Sequence, residues 1–105
     1  MISESPVNLL FFGGCPQVGA ARTNLETALA QAGRPLRWQE WDLEDPAAPP
    51  WAGGYPSPTV LVARLDVTGQ GPSAARGALS CRAEGAPTVA QIVAALSRSE
   101  GSAAP

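Results

Sequence analysis

An α/β domain built on a four-stranded mixed sheet is the fold class this sequence predicts, on three observations. The run Val7-Asn8-Leu9-Leu10-Phe11-Phe12 is almost continuously apolar, as a central strand covered on both faces requires. Val18, Ala21, Leu25, Ala28, Leu29 and Ala32 then recur at three- and four-residue steps, which is the apolar stripe of a helix. The whole chain reads as strand, helix, strand, Pro-rich connection, strand, strand, helix. That order describes a parallel βαβ opening, a hairpin and a covering helix, with helices on the faces of the sheet.

Each element has its own signal. Residues 1–6 are polar and read as a loose N-terminus ahead of a domain over residues 7–97. Gly13-Gly14 frees the backbone after the first strand. Pro16 suits the first helical position, where its missing N–H would have no partner, so Cys15 is expected at the N-cap. The helix runs to about Ala32, where Gly33 supplies the stop and Pro35 forbids continuation. Leu36–Leu43 is the second strand, with Trp38 and Trp41 packed on opposite faces. Asp45–Pro58 holds five prolines and two glycines and reads as a shaped loop with a helical turn near Ala47–Trp51.

Thr59-Val60-Leu61-Val62-Ala63 is the clearest strand, apolar and rich in β-branched residues. Asp66–Gly77 is read as the end of a hairpin and a Gly/Ser/Ala-rich loop, and a last strand is expected over Ala78–Arg82. Thr88-Val89-Ala90-Gln91 has the form of a capping box. It opens a helix that buries Val89, Ile92, Val93 and Leu96. Residues 98–105 are expected to be a disordered tail.

Composition removes whole classes of function. Seven basic against nine acidic side chains leave a net charge of -2, so there is no positive field to hold nucleic-acid phosphates. Every basic residue is Arg; without Lys there is no P-loop ATPase, Schiff-base enzyme or PLP site. The absence of His excludes imidazole triads and His-containing zinc sites. No stretch reaches the roughly 20 apolar residues of a membrane span, and no basic region precedes the first apolar run as in a signal peptide. A cytoplasmic protein is expected, where a cysteine pair more often means redox chemistry or metal than a structural bond. The Ala-rich, Lys-free composition fits a GC-rich bacterial genome.

Two places can carry chemistry. Cys15, at a strand-to-helix junction, would lie near the partial positive charge and free N–H groups of a helix N-terminus, which favour thiolate. The competing reading is a small cysteine beside a glycine turn. Ser57-Pro58-Thr59 places a proline at the start of the best strand, where it is a candidate for a cis bond. The competing reading is an ordinary turn in a Pro-rich loop.

Strand, Cys-Pro, helix, strand, loop, Ser-Pro-Thr, hairpin and helix together resemble the thioredoxin fold. The likeness covers about residues 7–97. It is closest to a group of short bacterial thioredoxin-like proteins, through Gly14-Cys15-Pro16, Ser57-Pro58-Thr59, Leu79-Ser80-Cys81-Arg82 and Thr88. Some of that group are labelled selenoprotein-like, others mercury-related or alkylmercury lyases. The resemblance implies a thiol–disulfide oxidoreductase with Cys15 as nucleophile facing a cis-Pro58. Its substrate would be a disulfide-bearing protein or a small thiol, bound around Pro16, Ser57 and Thr59, and no cofactor is implied. Trp51 and Tyr55 lie where such proteins dock substrates, as an apolar groove for an extended peptide or as a cover for the sheet edge.

The chain departs from that pattern at Val18, where a Cys-X-X-Cys motif has its resolving cysteine. It also lacks the tryptophan usual before the thioredoxin cysteine and the Cys-Gly-Phe-Ser motif of monothiol glutaredoxins. Cys81 is the candidate substitute, because a last strand parallel to the first would end at the edge of the sheet where Cys15 lies. A disulfide needs Cα atoms within roughly 7 Å; a buried, inert Cys81 is the competing reading. Arg22 and Arg82 either raise thiolate character or sit on a solvated surface. Asp42, Glu44 and Asp45 read as a solvated loop. Two alternatives to the oxidoreductase stand. One is a non-catalytic binding module on the same fold. The other is a soft-metal or mercury-binding protein, since two thiolates can hold Hg(II) or Cu(I). A lyase acting on organomercurials would also need a proton donor that the sequence does not nominate.

Overall fold

The computed structural model describes residues 6–72, 81, 82 and 85–103. Within them the chain forms β1 (Val7–Phe11), α1 (Val18–Gln31), β2 (Gln39–Asp42), a 3-10 turn (Pro50–Ala52), β3 (Thr59–Val62), β4 (Leu65–Asp66) and α2 (Val89–Ala103). The four strands make one mixed sheet in the order β2-β1-β3-β4. β1 and β2 run parallel, whereas β3 is antiparallel to both β1 and β4. The architecture is the α/β arrangement that the patterning predicts.

α1 buries Val18, Ala21, Leu25, Ala28 and Leu29, the stripe seen in the sequence. Its end is a Schellman motif: Gly33 takes a left-handed φ of 69°, and the N–H groups of Gly33 and Arg34 donate to the carbonyls of Ala30 and Leu29. Glycine is favoured there because a side chain would be strained at that φ. At the other end the expectation fails. Gln17, not Cys15, is the N-cap, because the chain makes one more turn, closed by the Val18 N–H on the Cys15 carbonyl, before the helix begins. Pro16 therefore sits in that turn rather than at the first helical position. α2 opens with the predicted capping box, in which Thr88 N–H donates to Gln91 Oε1 at 2.9 Å and Gln91 N–H to Thr88 Oγ1 at 3.1 Å. The helix continues to Ala103, through most of the segment expected to be a disordered tail.

Pleat alternation divides the core. Leu9, Val60 and Val62 face Leu25, Ala28 and Leu29 of α1 together with Ile92, Ala95 and Leu96 of α2. Leu10 and Leu61 point the other way, onto Ala52, Trp41, Leu43, Trp51 and Tyr55. Both helices thus share one face, and the Pro-rich segment covers the other, which corrects the expectation of helices on both. The physical reason is local: five prolines between Asp45 and Pro58 remove the N–H donors a helix would need, leaving one 3-10 turn and a set of large side chains. Trp38 and Trp41 join opposite clusters, as expected of neighbours across a pleat.

The fourth strand also differs from expectation. It is Leu65–Asp66, joined to β3 by Ala63 and Arg64, whose φ values are 53° and 67°. Positive φ at both central positions matches the right-handed twist of a two-residue hairpin, but neither residue is the Gly or Asn that would announce it. Of the strand expected over Ala78–Arg82, residues 78–80 lie outside the described residues. Cys81 makes a single parallel bridge to Ser57.

Candidate redox site

The site lies where the chain leaves β1 and enters β3. After β1, a turn closed by the Cys15 N–H on the Phe12 carbonyl at 3.1 Å brings Cys15 back toward the sheet. Gly13 and Gly14 make that turn without left-handed backbone. Cys15 is buried, only 4% exposed. Ahead of β3, Ser57–Pro58 is a cis peptide bond, and Ser57, Pro58 and Thr59 are all buried.

Ser57 ties the pieces together. Its Oγ accepts from the Phe12 N–H at 3.2 Å. Its carbonyl accepts from the Arg82 N–H at 2.8 Å and lies 3.5 Å from Cys15 Sγ. Since Cys81 bridges to Ser57, the two cysteines arrive on either side of one residue. They are joined as a disulfide with Cα atoms 5.9 Å apart, across 66 positions of sequence. Cys81 therefore comes to Cys15 beside the residue before the cis-proline. Unlike Cys15, it is exposed.

Arg82 is the residue that sequence reasoning placed wrongly. Read as solvated or as a thiolate-stabilising charge, it is instead buried, and its guanidinium pairs with Asp66 at 2.9 Å with both side chains 1% exposed. Nε donates to the Pro58 carbonyl at 2.8 Å, Nη2 to Thr59 Oγ1 at 2.9 Å and Nη1 to Gln70 Oε1 at 3.0 Å. Thr59 in turn donates its hydroxyl to the Pro56 carbonyl. A buried charge is tolerated only with such complete pairing. Burial pushes the Asp66 carboxyl up, but hydrogen bonds from the Thr68 N–H and hydroxyl and the charge and hydrogen bond of Arg82 outweigh it, so its pKa is lowered. With its charge spent on Asp66, Arg82 acts as a clamp on the cis-proline loop. The one sequence signal for this cluster was Asp66-Val67-Thr68, an Asx-type turn in which Asp66 Oδ1 accepts from the Thr68 N–H at 2.9 Å.

The other expected site residues separate into groups. Pro16 is exposed in the turn beside Cys15. Trp51 and Tyr55 pack onto Leu10, Ala52 and Leu61. One face of the Trp51 ring is taken by Arg64 at 3.9 Å, and Trp41 meets it edge-on with centroids 6.1 Å apart. So packed, the two rings lie over Leu10 and Leu61 on this face of the sheet. Arg22 turns to Glu40 in an ion pair at 2.9 Å and lies over the Phe11 ring at 5.3 Å. Gln17 makes no side-chain cap, and its Oε1 is buried with no hydrogen-bond partner among the described residues.

Among the described residues, no group of three or more Cys, Asp or Glu is gathered as metal ligands. Reduced Cys15 and Cys81 would offer two sulfur donors, enough for a soft ion in linear coordination but not for tetrahedral zinc. No helix of the described residues is long and apolar enough to cross a membrane. Compared with known proteins, the chain matches no family model, no curated protein and no solved structure.

Proposed function

We propose that this chain is a thiol–disulfide oxidoreductase of thioredoxin-like fold, working through the Cys15–Cys81 pair. The observation that carries this is the meeting of the chain's only two cysteines, 66 positions apart, against Ser57 and the cis-Pro58. The fold reading draws support from the sheet order β2-β1-β3-β4, with β1 and β2 parallel and the hairpin strands β3 and β4 completing the mixed sheet. A cysteine after β1 and a cis-proline before β3 then stand at one edge of that sheet. Closing the bond from two thiols releases two electrons and two protons to a disulfide, which leaves as two thiols. Opening it reverses the balance. Cys81 thus supplies the second sulfur that Val18 cannot supply from the helix.

The test is equilibrium oxidation of the wild type in glutathione and dithiothreitol redox buffers, read by the mass added on alkylating free thiols. The expected result is reversible two-electron behaviour with a midpoint above about -300 mV, the level below which bonds are structural. A bond that yields only when the protein unfolds, or two thiols that never join, would overturn the reading.

A further inference from the structure

Resting on the oxidoreductase reading, the geometry points to an exchange order in which Cys81 is the sulfur that meets the partner and Cys15 is the one that resolves. We infer this from the unequal settings of the two halves of one bond. Thiol–disulfide exchange is an in-line displacement, so the attacking thiolate must approach a sulfur from the side opposite its bonded neighbour, and access decides which sulfur is attacked. Cys15 is 4% exposed, and the Ser57 carbonyl stands 3.5 Å from its sulfur. An incoming thiolate would have to displace packed protein to reach that sulfur. Cys81 is exposed, so of the two halves of the bond it is the one that faces solvent.

The reduced form carries the asymmetry further. A Cys15 thiol left in place would donate its S–H to the Ser57 carbonyl, an interaction that a thiolate cannot make. Ser57 itself is held by Phe12 on its hydroxyl and by the Arg82 N–H on its carbonyl, so this acceptor stays where it is. Cys81 is then the sulfur available to a bulky disulfide. In the forward reaction the Cys81 thiolate attacks one sulfur of the partner disulfide, forming a mixed disulfide and expelling the other sulfur as a thiolate. Cys15 gives up its proton to solvent and attacks Cys81 Sγ, closing the Cys15–Cys81 bond and expelling the second thiolate. The partner gains two electrons, and the protein loses them. In reverse, a small thiol such as dithiothreitol attacks Cys81 Sγ and Cys15 departs. This order fits a partner that reaches the rim of the site, such as a disulfide on a protein surface or a small disulfide, without entering a cleft.

The experiment uses glutathione disulfide as the partner and the reduced Cys15→Ser and Cys81→Ser variants as the attacking proteins. Cys15→Ser, which retains Cys81, is expected to form its glutathione adduct about tenfold faster than Cys81→Ser. A second measurement does not depend on the variants folding. Fully reduced wild type is pulsed with limiting iodoacetamide at neutral pH, and its peptides are compared. Label on Cys81 is expected to exceed label on Cys15 by about tenfold, following the access of the two thiols. Equal rates or the reverse order in either measurement would overturn the inference while leaving the oxidoreductase reading intact. If the wild-type bond neither forms nor opens reversibly in the glutathione buffers, the oxidoreductase reading falls and the exchange order with it.

Discussion

Cys15 is suspended between β1 and α1, two elements held by hydrocarbon, with Leu9 on one and Leu25 on the other in the same buried cluster. Cys81 instead leads into Arg82, whose guanidinium is buried with a carboxylate, two hydroxyls, a side-chain amide and the Pro58 carbonyl. The two sides of the bond are thus supported by different physics. Apolar burial is indifferent to proton concentration, and its strength follows the area removed from water. A buried ion pair depends on the ionisation of its acid and collapses as a unit when one partner is removed. The cysteine pair should therefore have one side that is robust to acid and one that is not.

Removing the charge of Arg82 should have the largest effect. Arg82→Met keeps a long stem but leaves Asp66 buried without its cation, an outcome that costs about 3–5 kcal/mol in buried pairs. Urea unfolding at pH 7 would measure it. The penalty should also depend on pH in a stated direction. The carboxyl of Asp66 has a lowered pKa in the folded protein, so the stability it contributes is present above the unfolded value and drains away as pH falls through the folded one. The gap between wild type and Arg82→Met should therefore narrow below about pH 4. If the gap is the same at pH 3 and pH 7, the ion pair is not what holds the Cys81 side.

Leu25→Ala probes the other support. Leu25 is completely buried, and deleting a core Leu to Ala costs on the order of 3 kcal/mol. That loss should stay level over the same pH range, because no titrating group is involved. A Leu25→Ala penalty that fell with acid as steeply as the Arg82→Met penalty would erase the contrast between the two supports.

The same contrast explains what could be read in the sequence. On the apolar side the signals are periodic and local. The α1 stripe, the Gly33 stop and the Thr88–Gln91 box follow from spacing within a few residues, and each is present in the structure. The failures on that side are matters of one turn, as with Cys15, which the Pro16 signal placed at an N-cap that Gln17 occupies. On the polar side almost nothing is local. Arg82 meets Asp66 from 16 positions away and Pro58 from 24, and Arg is so rarely buried that a solvated reading was the default. β4 has two residues and a turn through Ala63 and Arg64, too short for alternation and without a turn residue to mark it. The meeting of Cys15 with Cys81 was legible only through the resemblance and the inferred topology, since 66 positions of separation carry no periodicity.

The smallest effect should come from Arg22, the charge nearest Cys15 along the chain that the sequence offered as a thiolate stabiliser. The structure directs it elsewhere. Its Nε and Nη2 donate to the two carboxylate oxygens of Glu40 at 3.0 and 2.9 Å, and these bonds pull the Glu40 carboxyl below its ordinary value despite some opposing burial. The pair is open to water, with side chains 45% and 30% exposed, so solvent screens most of the attraction. Glu40→Gln should then change stability by about 0.2–1 kcal/mol, in the range of exposed pairs. The change should shrink further at 1 M salt, where the Debye length is about 3 Å. The rate at which Cys15 forms its glutathione adduct, compared in Cys81→Ser with and without Glu40→Gln, should not move, because the freed guanidinium still lies over Phe11 and Cys15 is enclosed by its own turn. A tenfold change in that rate on losing the Glu40 charge would mean that Arg22 does reach the sulfur, and that the apolar support of Cys15 carries an electrostatic component after all.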